Sequence, residues 1–227
     1  MNYSVGIDWL IIIVTFGITW GSQLFIKWAY NNKMKEESKV GMTGKEVARK
    51  ILDENGLSNV KIEETPQELG DHYDPRNKTV TLSTDVYRKA SLASISVAAH
   101  ECGHAIQDKN GYFFLKFRNM IVPIVNFASS VGYVVIMFGL FAGLTRLLWF
   151  GVFLEVIILF FQLITLPVEF NASNRALRQL EKLNIVDSGE NKSCCTVLTA
   201  AALTYVASVA NSLLQILRLV LMARRND

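Results

Sequence analysis

The chain has 227 residues, 51% of them hydrophobic and 19% charged, with a mean hydropathy of +0.26 and a formal charge of +3. Soluble domains carry about 25% charged residues, so apolar residues here exceed what a water-facing fold needs. Three cysteines exclude a disulfide scaffold, and the composition excludes a disordered or fibrous chain. The basic residues form no patch interleaved with aromatics, so no nucleic-acid partner is expected.

The first element is a run without Asp, Glu, Lys or Arg at 9–26; similar runs occupy 119–145 and 193–217, and a fourth at 147–168 is interrupted by Glu155 alone. At 1.5 Å per residue, even the shortest makes a helix of roughly 27 Å, close to the thickness of a bilayer's hydrocarbon core. Four transmembrane helices are expected. They place Lys27 to Arg118 and Glu169 to Lys192 on one side, with 19 Lys and Arg against 4 on the other. The positive-inside rule makes that side cytoplasmic, in a multi-pass protein of the cell membrane, although Arg218, Arg224 and Arg225 oppose this orientation. Nothing basic precedes the first run and no small-residue cleavage site follows it, so it reads as a span and not as a signal peptide.

Residues 31–118 hold 14 basic and 13 acidic residues, a balance that suits a small water-facing fold. Thr43 and Glu46 form a capping box, Val47, Ala48, Ile51 and Leu52 share one face, and Asn55-Gly56 supplies a stop. Val60 to Glu64 and Lys78 to Ser83 alternate around β-branched residues and read as strands, separated by a turn-rich stretch with Pro66, Gly70 and Asp74-Pro75. A second helix is expected over 91–108. The fold class is therefore an α-helical integral membrane protein of four spans, with a small α+β membrane-proximal domain inserted between the first and second.

That second helix carries His100-Glu101-Cys102-Gly103-His104, an H-E-x-x-H motif. At about 100° per residue, His100 and His104 lie about 40° apart on the helix surface, so both imidazoles can face one metal ion with Glu101 beside them. Cys102 points about 160° away and is a poor ligand. A catalytic zinc takes three protein ligands and leaves a fourth position for water. Two candidates for the third ligand are His72, the one other histidine, and Glu169, which follows the third charge-poor run. The stretch Pro167 to Leu183 reads as a helix with Pro167 near its first turn, placing Glu169, Ala172, Ser173, Ala176 and Leu180 on one face. A glutamate favoured by the helix dipole alone is the competing explanation of Glu169.

Along the third span Glu155, Gln162 and Glu169 recur every seven residues, a polar stripe facing the bundle. Tyr133, Ser129, Ser130, Asn126, Ser208 and Asn211 are candidate partners of Glu155. Cys194 and Cys195 are adjacent and expected to be reduced.

The stretches EVARKILDENGL, DHYDPRNKTVTLS, AAHECGHAIQD, IVPIVNFAS, LPVEFNAS and AALTYVA are similar to the YugP-like family of bacterial multi-pass membrane zinc metallopeptidases. The resemblance implies a zincin-like domain with a gluzincin-like site: His100, His104 and Glu169 bind Zn2+, and Glu101 is the catalytic carboxylate. Cys102 stands where that pattern has an aliphatic residue, and Asn171 where it has Asp.

The mechanism that follows is hydrolysis by a zinc-activated water, with Glu101 taking its proton and passing it to the leaving amine. His72, Tyr73, Tyr87 and Arg175 are candidates to stabilise the oxyanion. A peptide is expected to lie along the edge of the strand Lys78 to Ser83. The implied partners are the lipid bilayer and a peptide or membrane-protein substrate, with a homo-oligomer left open. Competing readings are a membrane adaptor with a structural zinc and, third, a transporter.

Overall fold

The computed structural model describes residues 2–226, and side chains over 6–225. The elements in chain order are α1 (Asn2–Met34), α2 (Gly44–Glu54), β1 (Lys61–Thr65), β2 (His72–Asp74), β3 (Thr79–Ser83), α3 (Thr84–Arg88), α4 (Leu92–Lys109), α5 (Phe113–Ala142), α6 (Thr145–Lys182) and α7 (Ser188–Asn226). Among the described residues four helices, α1, α5, α6 and α7, are long and apolar enough to cross a membrane. The motif helix α4 is not one of them. Each long helix extends beyond its charge-free run at one end or both, because the helical hydrogen-bond ladder tolerates charged side chains that a hydrocarbon layer does not. The exception is at 142–144, where α5 stops at Ala142 and Gly143 turns the chain at φ +66.

One sequence expectation is corrected at Pro167. No helix starts there; α6 runs unbroken through it. Proline removes one ladder bond, and helix-forming residues on both sides carry the rest.

The chain forms two compact units. The first comprises the described parts of 1–23, 117–166 and 203–227. Its helices approach closely at small residues: a Cβ on Gly139 would stand 3.1 Å from Leu147 and Leu148 side-chain atoms. Two polar contacts join helices within this unit, where an apolar surrounding makes an unpaired polar group costly. Asn211 donates to Thr19 Oγ1 at 2.7 Å, and Glu155 is hydrogen-bonded by Ser212. The partner of Glu155 is thus a neighbour of the residues expected, since Asn211 is committed to α1. Trp9, Ile13, Phe16, Trp20, Phe127 and Phe141 are all exposed, a surface suited to lipid.

The second unit comprises 24–116 and 167–202. The capping box of α2 is formed: Glu46 N–H donates to Thr43 Oγ1 at 3.3 Å and Thr43 N–H to Glu46 Oε2 at 2.8 Å. Val47, Ala48, Ile51 and Leu52 are buried in one cluster with Ile95, Ala98, Ala99, Cys102 and Ala105 of α4 and with Val80 and Leu82 of β3. Helix α4 is buried almost all round, with Ser91 as its N-cap accepting from Ser94 N–H at 3.1 Å. A helix so placed needs no amphipathic stripe.

The sheet order is β1-β3-β2, with β1 parallel and β2 antiparallel to β3. Strand β3 is therefore central, and the expectation that a peptide lies along its edge is overturned, because both of its edges are already hydrogen-bonded. Strand β2 and helix α3 went unrecognised: three and five residues are too few to show a period. Ile62, Tyr73, Val80 and Leu82 face the core, while Lys61, Glu63, His72, Asp74, Thr79 and Thr81 line a polar cavity of about 420 Å3 on the opposite face.

Replacing Thr43 by Ala should cost about 1 kcal/mol by opening the capping box. The check is amide exchange of α2 in the detergent-solubilised chain, where the Glu46 amide should lose protection first.

Candidate metal centre

Four-residue spacing on α4 sets His100 and His104 one turn apart, with ring centroids 4.7 Å apart and planes crossing at 86°. The turns of α6 after Pro167 bring Glu169 to both. Its Oε2 is 3.2 Å from His100 Nε2 and 3.6 Å from His104 Nε2, and the ligand atoms of the three residues all lie within 4.8 Å of one another. The other ring nitrogens are also engaged. His100 Nδ1 lies 3.2 Å from Ser173 Oγ, and His104 Nδ1 lies 3.0 Å from Gln107 Oε1. Both Nε2 atoms thus face the carboxylate, and the three side chains are only 14%, 10% and 4% exposed.

This meeting requires α4 and α6 to approach closely. A Cβ on Gly103 would stand 2.6 Å from the carbonyl oxygen of Ala172, so only hydrogen fits there. Ala172, Ala176 and Leu180 on the same face of α6 are fully buried. Gly103 and Gln107 are the residues that sequence reasoning missed. A glycine within a helical pattern was the available signal for the first; nothing local marked the second.

Glu101 is buried next to the histidines. Burial pushes its carboxyl up to about 7, the positive charge of His100 opposing and the negative charge of Glu169 adding to the shift. A carboxyl in that range can take and return a proton near neutral pH. Cys102 lies on the far side of the helix, its Sγ 3.6 Å from Ala48 O, and burial pushes its thiol up.

His72 is outside the three-residue group. It lies on the polar face of the sheet with Nδ1 2.8 Å from Gly70 O. The other oxyanion candidates are engaged elsewhere: Tyr73 donates to Asp108 at 2.7 Å, Tyr87 lies under Lys45, and Arg175 Nε donates to Asn171 Oδ1 at 2.7 Å. A separate cavity of about 440 Å3, lined by residues that include Tyr30, Asn31, Glu68, Ser83 and Asp85, holds none of the candidate residues.

The donor set fits zinc. Two imidazole nitrogens and one carboxylate oxygen are the ligand types zinc takes, and tetrahedral ligands about 2.0–2.1 Å from the ion stand about 3.3 Å apart. The two histidine–carboxylate separations, 3.2 and 3.6 Å, bracket that value, and all three atoms lie within 4.8 Å of one another. The family described as "Putative neutral zinc metallopeptidase" matches residues 8–224. The chain belongs to this family. It is also 43% identical over 209 residues to the "Putative membrane protease YugP" of Bacillus subtilis (strain 168), covering 92% of this chain and 93% of that protein. No solved structure matches. Zn2+ is the cofactor that the family implies, and a membrane location agrees with both the relative and the four apolar helices.

Gly103→Ala should push the motif helix away from Ala172 and destabilise the second unit by about 1–3 kcal/mol. Thermal unfolding of the detergent-solubilised chain, compared with Gly21→Ala, where an added Cβ meets nothing within 4 Å, measures this.

Proposed function

We propose that the chain is a membrane-embedded zinc metalloendopeptidase acting on membrane or membrane-proximal proteins and peptides. The observation that carries this reading is the convergence of His100 and His104 of the H-E-x-x-H helix with Glu169 from a separate helix. In this reading His100, His104 and Glu169 hold Zn2+. When bound there, zinc supplies the Lewis acidity that polarises a peptide carbonyl and makes water a nucleophile at neutral pH. Glu101 takes the proton of the attacking water and delivers it to the leaving amine, a role its buried carboxyl near 7 supports.

His72 is proposed to stabilise the oxyanion. Its Nδ1 bond to Gly70 leaves Nε2 for another partner. The extended peptide is now assigned to the outer edge of β2, whose other edge pairs with β3. Among the described residues the ligand group has three members, which leaves a tetrahedral ion one position for water. A structural zinc, as the adaptor reading needs, would fill that position with protein.

The proposed organisation has spans at 9–26, 119–145, 147–168 and 193–217. The α+β metallopeptidase domain is the insertion at 31–118, and 169–192 carries the third ligand. Both soluble segments are assigned to the cytoplasmic face, supported by the 19-to-4 distribution of Lys and Arg. Glu169 directly follows a charge-poor run, which favours substrates at or in the membrane.

Metal analysis of the purified chain should find one zinc per molecule, lost in folded His100→Ala and sharply reduced in Glu169→Ala. Zinc retained in Glu169→Ala would move the third ligand elsewhere. Glu101→Gln should keep its zinc while hydrolysis of a quenched fluorescent peptide falls by at least 100-fold, on the order of the contribution of a general base.

A further inference from the structure

Resting on the reading of His100, His104 and Glu169 as zinc ligands, we infer that Gln107 is a positioning residue whose side-chain amide sets the tautomer of His104 and ties the motif helix to the helix that carries Glu169. Gln107 lies one turn after His104 and is fully buried. A buried amide must place its oxygen and its NH2 group on protein partners. At one end, Gln107 Nε2 lies 2.8 Å from the backbone oxygen of Val168 and 3.0 Å from Asn171 Oδ1. A backbone carbonyl can only accept, so the atom facing it must be the NH2 group; the flipped amide would set two carbonyl oxygens 2.8 Å apart.

Asn171 adds a second, independent determination. Its Oδ1 also receives Arg175 Nε at 2.7 Å, and a guanidinium can only donate. The Asn171 oxygen is therefore the atom turned toward Gln107, which again requires the Gln107 NH2 group at that end. The opposite end of Gln107 is then its oxygen, 3.0 Å from His104 Nδ1. Oxygen there accepts, so Nδ1 of His104 carries the hydrogen and Nε2 keeps its lone pair on the side of Glu169, 3.6 Å away. Every step from Arg175 through Asn171 and Gln107 to His104 is oriented by a group with a single hydrogen-bonding role.

His100 is held differently. Its Nδ1 partner, Ser173 Oγ, can donate or accept and therefore selects no tautomer. Val168 and Asn171 flank Glu169 on α6, so the amide that orients one ligand also grips the backbone beside another. Hydrogen-bond partners of this kind control ligand orientation and basicity at metal sites.

The test uses the full chain in detergent micelles. Zinc affinity is measured by competition with a chromophoric chelator, and ligand geometry by the visible spectrum of the Co2+ form. Gln107→Met, similar in length but with no donor and only a weakly accepting sulfur, should bind zinc about 10–100-fold more weakly and shift the Co2+ bands. Asn171→Leu should move both readouts in the same direction. Asn171→Asp keeps an acceptor for both Gln107 and Arg175 and should match wild type. If Gln107→Met does not fold, the two Asn171 variants decide. Wild-type affinity and spectrum in a folded Gln107→Met or in Asn171→Leu, or an Asn171→Asp that falls as far as Asn171→Leu, would overturn the positioning role while His104→Ala still loses zinc. Zinc retained by His104→Ala would instead overturn the ligand reading on which the inference rests.

Discussion

The site depends on one close contact, that between α4 and the turns of α6 that follow Pro167. It is possible because Gly103 presents hydrogen to the backbone of Ala172, where a methyl group would intrude to 2.6 Å. Around that point, His100, Gly103, His104 and Gln107 on one helix meet Val168, Glu169, Ala172 and Ser173 on the other. Both sets repeat at three- and four-residue intervals, the spacing at which one helix surface fits against another. The packing contact and the meeting of His100, His104 and Glu169 therefore lie on the same surface, and a shift of either helix moves the three side chains relative to one another at once.

Electrostatics constrains the same place. Glu101 and Glu169 are both buried, Glu169 beside two imidazoles and Glu101 near enough to feel the charge of Glu169. Burying carboxylates is costly unless opposite charge or hydrogen bonds compensate. Glu169 has its histidines, whereas Glu101 is pushed up to about 7. A divalent cation would balance both acids, in agreement with the zinc-dependent family to which the chain belongs. The surrounding amides and hydroxyls face the outer nitrogens of the imidazoles, so the inner nitrogens converge on one point.

Much of this was legible from local rules. Charge-poor runs disclosed the four long apolar helices because the cost of a charge in hydrocarbon acts on each residue separately. The capping box of α2 and the Ser91 start of α4 involve residues three apart in the chain and needed no tertiary knowledge. The motif itself was readable for the same reason: a helix guarantees that positions 100 and 104 share a face. Strand β2 escaped because three residues show no alternation, and its insertion made β3 central. Pro167 looked like a beginning because proline suits a first turn, yet the helix on both sides kept it in the interior.

Residue composition, helix periodicity and side-chain chemistry were thus enough for the four long apolar helices, the paired histidines and a short list of residues that could join them, since these follow from local sequence. Between Glu169 and His72 they could not choose. Folding set Glu169 Oε2 within 3.6 Å of both imidazoles and His72 on the opposite face of the sheet from the core. Gly103, Gln107 and Asn171 acquired roles in the same step, and so did Ser212 as the partner of Glu155. These assignments join residues from different helices, and such pairings depend on how packed surfaces register in space, which no periodicity along one helix encodes.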